Sequence, residues 1–338
     1  MLEARNAIRV LTWDPVCRRS ASIAERLGES LKTIHYLWYR RPWIAPLKYV
    51  LQGIATLVWL RRERPATVMV SNPPLFSVLA VYLYCAIYGG QYVVDSHTGV
   101  FYEPKWTWLS FLNRFLSRHA CFTIVTNAHL KQHVESWGAR AAVLEDPLPV
   151  LPQSDVSYPV DPSCFNIIGI FSFYEDEPVE EMLAVRHLPP NVRIYITGDH
   201  SKLKPELSHS ISDQIVLTGF LSDADYVALL RQCDAALVLC TRPHTLLCGA
   251  YEAVAGAKPV ITSESEDMRA YFSKGTVFVE NTPAGIEQGI ADVQQWHVNL
   301  VHEVIELRKE IDQHWENRFA NCLAQLELDR IKGDGGVI

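Results

Sequence analysis

The run from Asp234 to Ile261 restricts the fold of this chain more than any other stretch. It opens with an uncharged apolar segment, 235–240, which is typical of a parallel strand buried on both faces. A polar loop follows over 241–245, and the next stretch, which Gly256 ends, is long enough for a short helix. Strand, loop, helix and second strand in this order predict one repeat of a parallel α/β sheet.

The helix predicted in this run, over 246–255, offers an anion-binding end. A helix that begins directly after a strand presents unpaired backbone N–H groups to the preceding loop. Glu252 lies about two turns into the helix, on the face of Cys248 and roughly that of Thr245. A diphosphate at the helix start and a ribose at Glu252 fit this arrangement.

The whole chain alternates strands and helices in two blocks, which predicts two doubly wound parallel sheets. Between the blocks, residues 146–162 hold five prolines, a density that resists regular structure and indicates a linker. A length of 338 residues also suits two domains of ordinary size. We therefore predict an α/β protein with Rossmann-like domains over 1–155 and 156–313.

The run around Glu252 resembles the donor-binding signature of the GT-B glycosyltransferases, especially the large retaining family 4. In that signature a Glu, seven residues and a second Glu precede a small-residue turn and a Pro-Val/Ile strand. Glu252 stands at the second Glu, which holds the donor ribose in that family, and His244 stands where the first Glu is expected. The resemblance implies two Rossmann-like domains that face a cleft, with a C-terminal helix, 314–338, crossing back to the first domain.

The same resemblance implies where a nucleotide-sugar donor binds. Two strands of the second block end in Gly198 and in Gly219-Phe220, and open α/β sheets place ligands at the carboxyl ends of their strands. In GT-B proteins the second of these positions offers backbone groups to the nucleotide base. The candidate donor-binding residues are Gly198, Gly219, Phe220, Arg242, His244, Thr245, Leu246, Leu247, Cys248, Gly249 and Glu252.

The loop 172–178 is acidic and lacks the Arg and Lys that family 4 enzymes place there for the diphosphate. It is similar to a stretch of the inverting β-mannosyltransferases that build dolichol-linked oligosaccharide, as are the motifs 72–74 and 95–97. The sequence therefore leaves open whether transfer retains or inverts configuration. Phosphate charge must then be neutralised by helix dipoles or by other cations, the candidates being Arg18, Arg19, Arg242, His244 and Lys258.

Four residues of the first block are candidates for catalysis. Asp95 and His97 end a strand of buried type, and an acid–base step needs a His or carboxylate near the acceptor hydroxyl. We expect His97 to contact the transferred sugar, with Asp95 or Glu103 acting as base or orienting a group. Asp14 follows the first strand and is a further candidate. A capped turn with a structurally satisfied His is the alternative.

Charge is unevenly divided, since residues 1–155 hold 17 Lys and Arg against 11 Asp and Glu, and the remainder holds 14 against 27. A basic half suggests an anionic partner. The stretches 35–43 and 99–118 mix Trp and Tyr with basic residues, which favours peripheral docking on an anionic membrane, with a packed core edge as the alternative. The longest apolar run, 74–88, is shorter than the ~20 residues of a membrane span and predicts a buried helix.

Metal, cofactor and nucleic-acid binding are not expected. Asp223 and Asp225 form an Asp-x-Asp that predicts a helix cap, and His129 and His133 lack the Glu of a zinc protease helix. The pI of 5.9 argues against nucleic acid. The eight cysteines show no CxxC spacing and no secretory signal precedes them, so we expect free thiols and a cytoplasmic protein. Together with the peripheral docking predicted above, this places the protein on the inner face of the cell membrane.

Together these features predict a metal-independent hexosyltransferase. It would move a hexose from a nucleoside diphosphate sugar to a lipid-linked or polysaccharide acceptor, without a further cofactor. Two alternatives stay open. The His at position 244 and the acidic loop 175–177 also suit a non-catalytic sugar-nucleotide-binding subunit of a glycosylation complex. A sugar-nucleotide 2-epimerase also has two such domains and an acidic helix.

Overall fold

The computed structural model of the protein describes four stretches of the chain: 8–37, 42–153, 156–203 and 211–334. The chain divides into two compact units, which are Met1–Asp146 with Trp315–Ile338, and Pro147–His314. The division after Asp146 falls inside the proline-rich segment, nine residues before the expected boundary at 155. The C-terminal residues from Trp315 group with the first unit.

The first unit is built on a six-stranded sheet in which all strand pairs are parallel. Its strands are β1 (Ile8–Thr12), β2 (Lys32–Thr33), β3 (Thr67–Asn72), β4 (Gln91–Ser96), β5 (Thr123–Val125) and β6 (Ala141–Val143). Their order is β2-β1-β3-β4-β5-β6. Every residue of β3 is buried, as expected of a central parallel strand covered on both faces by helices.

Seven α-helices lie between the described residues 8 and 146 and flank this sheet together with the C-terminal helix. They are α1 (Arg18–Arg26), α2 (Ala45–Glu63), α3 (Leu75–Tyr88), α4 (Gly99–Tyr102), α5 (Pro104–Thr107), α6 (Ser110–His119) and α7 (Ala128–Ser136). Helices α2, α3 and α6 pack on one face of the sheet around Leu60, Val81 and Leu116. The other face is covered by α1 and by the C-terminal helix, through Ile23 and Trp315.

The second unit also contains six strands, all paired in parallel. They are β7 (Phe165–Gly169), β8 (Val192–Thr197), β9 (Ile215–Gly219), β10 (Ala235–Val238), β11 (Val260–Ser263) and β12 (Thr276–Val279). Their order, β12-β11-β10-β7-β8-β9, reverses direction between β7 and β10. Open α/β sheets bind ligands at such a reversal, beyond the carboxyl ends of the two strands. The predicted pair of Rossmann-like parallel sheets is confirmed.

The helices described in the second unit are α8 (Val179–Leu183), α9 (Asp223–Gln232), α10 (Cys248–Ala255), α11 (Glu266–Tyr271), α12 (Pro283–Gln295) and α13 (His297–Asp334), the last of which continues into the first unit. Trp296 separates α12 from α13. No helix in the described stretches has the length and hydropathy needed to cross a membrane.

Two local predictions were wrong at helix starts. The cap of α9 is Ser222, whose Oγ accepts the N–H of Asp225 at 3.2 Å, so the Asp-x-Asp lies inside the first turn, where carboxylates favour the helix dipole. Helix α10 begins at Cys248 instead of residue 246, because Leu246 and Leu247 pack as loop residues against the core of the second unit. Thr245 is therefore not on the helical face of Glu252.

Trp315→Ala should lower the free energy of unfolding of the first unit by about 3–5 kcal/mol, the usual cost of deleting a buried Trp side chain. Trp315 is 2% exposed, stacks on Phe319 and donates its indole N–H to the carbonyl of Glu145 at 2.9 Å. Urea denaturation followed by circular dichroism measures the loss. The control is Trp296→Ala, since Trp296 is 53% exposed. Equal effects of the two substitutions would contradict a core position for Trp315.

Candidate functional site

The loops that follow β7 and β10 are joined at the strand reversal of the second sheet. The Thr241 backbone N–H donates to the carbonyl of Asp176 at 2.7 Å, and its hydroxyl donates to the same oxygen at 3.1 Å. The Arg242 guanidinium lies 3.1 Å from the Asp176 carboxylate. The acidic loop 172–178 and the loop 239–247 thus form one continuous surface where this fold class binds ligands.

A polar network on the neighbouring strand ends holds the start of the second loop. The Cys240 N–H donates to Ser263 Oγ at 2.9 Å, and the Asn281 side-chain amide donates to the Cys240 carbonyl at 3.0 Å. Ser263 Oγ in turn donates to Asn281 Oδ1 at 2.6 Å. Both backbone groups of Cys240 are satisfied in this way, which fixes where the loop leaves β10. Sequence analysis did not identify this network.

His244, at the position where the signature has its first Glu, is paired with a carboxylate. Its Nδ1 lies 2.7 Å from Asp267 Oδ2, and its backbone has a positive φ of 52°. Such a backbone conformation is uncommon outside glycine and often occurs at functional sites. The carboxylate favours a proton on Nδ1, so a His–carboxylate pair occupies the place of a single carboxylate.

Glu252 lies on α10, half-buried, and Tyr226 of α9 donates its phenolic hydrogen to Glu252 Oε2. This bond holds the carboxylate in one position. Close packing of α10 on the sheet depends on Gly249, because a Cβ there would lie 3.0 Å from both Ile170 Cγ2 and Val238 Cγ1. The side chain of Leu247, which precedes α10, forms no hydrogen bond that caps the helix, so the start of the helix suits an anion.

The ends of β8 and β9 approach the same edge through backbone groups. Gly198 has a φ of 107°, donates its N–H to the carbonyl of Gly219 at 3.1 Å, and could not carry a Cβ, which would lie 2.2 Å from the Phe171 carbonyl oxygen. Gly219 also has a positive φ, of 76°. The Phe220 side chain is 87% exposed and presents an aromatic face at the end of β9.

Sequence analysis did not select two charged residues of this edge, Glu177 and Lys202, as site residues. The Glu177 carboxylate accepts the N–H of Ser172 at 2.9 Å, its hydroxyl at 2.7 Å, and the N–H of Tyr174 at 3.3 Å. Lys202, beyond β8, donates to the Ser172 carbonyl at 2.7 Å and lies 4.5 Å above the Tyr174 ring. The acidic loop therefore binds the cationic side chain of Lys202, which belongs to the segment after β8, although the loop itself contains no Lys or Arg.

In the first unit, Asp95 is buried against Arg19. The Arg19 Nε lies 2.9 Å and 3.0 Å from the two carboxylate oxygens of Asp95, while its terminal nitrogens donate to Asp146 at 2.7 Å and to the Leu144 carbonyl at 2.8 Å. Burial opposes the charge of Arg19, but both carboxylates favour it and raise its pKa. Asp95 is thus engaged as an ion-pair partner, which suits an orienting role better than that of a base.

His97 lies beside this ion pair and is 34% exposed at its side chain. Its backbone N–H donates to the carbonyl of Asn72 at 2.8 Å, so the Asn-Pro-Pro motif helps to position it. Its Nε2 lies 3.8 Å from Asp95 Oδ2 and 3.9 Å from Cys17 Sγ. Burial disfavours the imidazolium, but the Cys17 contact and the Asp95 charge outweigh burial and raise the pKa of His97 to about 9.

The other two catalytic candidates have partners other than His97. Asp14 is exposed and its carboxylate accepts the N–H of Val16 at 3.1 Å, while Glu103 forms an ion pair with Lys105 at 2.7 Å. Within the described residues no hydrogen bond or ion pair joins either carboxylate to His97. The structure therefore brings together Asp95 and His97 of the four candidates.

The described residues contain no group of three metal-ligating side chains. Of the His pair on α7, His133 packs between aromatic rings, 5.0 Å from Trp137 and 5.8 Å from Phe101, and burial lowers its pKa. This position is explained by packing.

Comparisons with known proteins bear on the second unit and on the fold. Residues 177–295 match the family model described as "Glycosyl transferases group 1", a range that includes Glu252, His244 and Lys202. No curated protein sequence matches the chain. Solved structures are similar over nearly its whole length, and they share the GT-B fold.

Three of these structures illustrate the similarity. The sucrose-phosphate synthase of Thermosynechococcus elongatus is 12% identical with a TM-score of 0.71, and the match covers 97% of this chain and 100% of that one. Anabaena HepE in complex with UDP-glucose is 13% identical with a TM-score of 0.65, over 94% and 99%. A protein described as a UDP-N-acetylglucosamine 2-epimerase of Listeria monocytogenes is 13% identical with a TM-score of 0.59, over 88% and 91%.

The His97 side chain should titrate with a midpoint near pH 9, which NMR of its ring protons measures, with His97→Gln used to assign the signal. Since this pKa lies above its ordinary value of 6.5, the charged ring stabilises the fold fully below about pH 6.5, and the contribution is lost as pH rises through about 9. Cys17→Ala should lower the midpoint. Cys164→Ala, in the second unit, should leave it unchanged, and an equal shift in both variants would contradict the assigned cause.

Proposed function

We propose that this chain transfers a hexose from a nucleoside diphosphate sugar to a lipid-linked or polysaccharide acceptor. Its GT-B fold and the match of residues 177–295 to the group 1 glycosyl transferase model support the proposal. One observation carries the donor half of this proposal. The Glu252 carboxylate, held by Tyr226, stands on the helix that begins at the loop following β10, at the strand reversal of the second sheet.

The donor is held by three groups of residues in this proposal. Glu252 accepts hydrogen bonds from the ribose hydroxyls, and Phe220 stacks on the nucleotide base beside the backbone of Gly219. The diphosphate lies against the start of α10, with Arg242 and Lys202 supplying positive charge. Because each of these cations is already held by the acidic loop, the loop positions them and does not merely repel the phosphates.

His97, in the first unit, acts on the transferred sugar. With a pKa of about 9 its ring carries a proton at neutral pH, so it does not act as the base; it donates a hydrogen bond toward the sugar–phosphate oxygen on which negative charge develops as that bond breaks, and the departing diphosphate takes up the proton of the acceptor hydroxyl. Asp95 and Arg19 are positioning residues, since their ion pair fixes the strand end that carries His97. The reaction needs no metal in this scheme, because charge stabilisation comes from cationic side chains and a helix N-terminus.

The alternatives predict different products. A non-catalytic subunit binds the nucleotide and transfers nothing, whereas an epimerase converts the sugar nucleotide without an acceptor. Incubation of the protein with UDP-glucose, and separately with UDP-N-acetylglucosamine, in the absence and presence of lipid-linked acceptors distinguishes all three. Acceptor-dependent release of nucleoside diphosphate supports transfer. A changed sugar nucleotide without acceptor supports an epimerase.

Glu252→Ala should weaken nucleoside diphosphate binding by about 1.5–3 kcal/mol, or roughly 10- to 150-fold, because it removes a charge-assisted hydrogen bond to the ribose. A thermal-shift screen of UDP, GDP, ADP, dTDP and CMP first identifies the nucleotide, since a ligand of the folded state raises the melting temperature. Calorimetry with that nucleotide then measures affinity. Glu280→Ala, an exposed carboxylate of the same unit, is the control. Unchanged affinity in Glu252→Ala would remove Glu252 from the ribose site.

His97→Ala should lower turnover roughly 100- to 1,000-fold while leaving nucleotide affinity nearly unchanged. The physical reason is that the charge on His97 interacts with charge that develops in the transition state, so kcat and kcat/KM fall together. Steady-state kinetics with donor and acceptor, beside calorimetry with the nucleotide alone, measures both. His129→Ala, an exposed His of the same unit, serves as the matched substitution. Near-normal turnover in His97→Ala would leave His97 with a structural role only.

A further inference from the structure

Helix α2 exposes apolar side chains where a surface helix of a soluble protein places polar ones. Its buried positions are Lys48, Gln52, Thr56 and Leu60, of which three are polar. Between residues 47 and 58 its exposed positions are all apolar, and their exposed fractions lie between 40% and 59%: Leu47, Val50, Leu51, Ile54 and Val58. An ordinary surface helix places its apolar stripe toward the core and its polar face toward water.

The inward polar face of α2 is held by specific bonds, so the orientation of the helix is determined. The Gln52 side-chain amide donates to the Ile34 carbonyl at 2.8 Å, and the Trp13 indole N–H donates to Thr56 Oγ1 at 2.9 Å. Rotating α2 to bury its apolar side would break both bonds and expose Leu60. The apolar stripe therefore faces outward as a consequence of the fold.

The exposed apolar stripe continues across two neighbouring helices. Helix α3 contributes Leu83, Ile87 and Tyr88, which are 41%, 67% and 52% exposed. Helix α6 and the residue pair before it contribute Trp108, Phe111 and Phe115, which are 68%, 67% and 41% exposed. Tyr82 of α3 joins the two helices by edge-to-face contact with Phe115 at 5.3 Å. We call these residues together with the exposed apolar positions of α2 the outer helical face.

This surface is larger than sequence analysis indicated, because it overlaps the predicted stretch 99–118 and adds α2 and the C-terminal part of α3. The run 74–88 was predicted to be a buried helix, which is wrong for its C-terminal part, because α3 exposes Leu83, Ile87 and Tyr88. Of the two aromatic and basic stretches, Trp43 and Trp108 are exposed whereas Trp106 is buried, and residues 38–41 lie outside the described part of the chain. Exposed apolar area of this extent on one side of a domain indicates an interaction site.

Exposed arginines lie on two of the helices that form the outer helical face. Arg61 and Arg62 are exposed at the end of α2, and Arg114 and Arg118 are exposed on α6. Helices α2, α3 and α6 hold one acidic residue, Glu63, which pairs with Arg9 at 3.4 Å. A second copy of this chain would bring its own arginines to the contact, whereas anionic headgroups neutralise them.

We propose that the outer helical face docks on an anionic lipid bilayer, with α2 parallel to the membrane plane and its apolar side chains below the headgroups. Burial of the Leu, Val and Ile side chains in the acyl region provides affinity, and the arginines select anionic lipid. The exposed Trp43, Tyr88 and Trp108 lie at the level of the headgroups, where such rings are favoured. Docking does not depend on the proposed sugar transfer.

The test is flotation of the full-length protein with vesicles of phosphatidylcholine alone or mixed with phosphatidylglycerol, at low and high salt. Wild-type protein should float with the anionic vesicles, and high salt should weaken the binding. Val50→Asp with Ile54→Asp should lower the partition coefficient at least about tenfold, since two apolar contacts are lost and two anions are added. Arg61→Glu with Arg62→Glu should reduce the preference for phosphatidylglycerol.

Val298→Asp is the matched control, because Val298 is 68% exposed on α13, belongs to the second unit and is not part of the outer helical face; it should bind vesicles as wild type does. Nucleotide-induced thermal shifts of each variant show that it is folded, and this readout tests the donor site separately from docking. Vesicle binding unaffected by the α2 double substitution would overturn the proposal. Lipid-independent dimers that the same substitution dissociates, measured by analytical ultracentrifugation, would assign the face to a second copy and also overturn it.

Discussion

The buried ion pair between Arg19 and Asp95 is the constraint on which the first unit's candidate site depends. Arg19 links α1 to the end of β4 and, through Asp146 and Leu144, to the segment that follows β6. Buried charges are costly to desolvate, and loss of one partner from such a pair typically destabilises by about 3–5 kcal/mol. The arrangement therefore holds three chain segments in one geometry. The charge of Asp95 raises the pKa of the neighbouring His97, whereas the charge of Arg19 lowers it.

In the second unit, the corresponding organising element is the pair of loops at the reversal of strand order. The acidic loop holds the two cationic side chains of this site. Asp176 forms an ion pair with Arg242, and the carbonyl of Ser172 accepts a hydrogen bond from Lys202. An acidic loop that would by itself repel a diphosphate can thereby present positive charge toward it. The exposed apolar side of α2 also departs from an ordinary surface pattern. The acidic loop and α2 both place residue types where folding stability alone would not favour them, and such departures are expected at functional sites.

Several elements could be predicted from sequence because their signals are local. The apolar segment 235–240, the helix after it and Gly256 fall within one short run, and residue period and turn chemistry are enough to predict a parallel α/β repeat. The proline-rich segment near 146 marked the region where the units divide. Helix starts were less predictable, as at α9 and α10, because a serine cap and the packing of two leucines decided them.

The sequence by itself determined the class of fold, the βαβ run with Glu252 and the Asp-x-His at the end of β4, since each follows from neighbouring residues. Tertiary structure alone decided which side chains meet: Tyr226 with Glu252, Asp267 with His244, and Arg19 with Asp95, a pair separated by 76 positions. It also decided that α2 turns its apolar side outward. These outcomes depend on strand order and helix packing, which bring distant residues together and which no local pattern of residue types encodes.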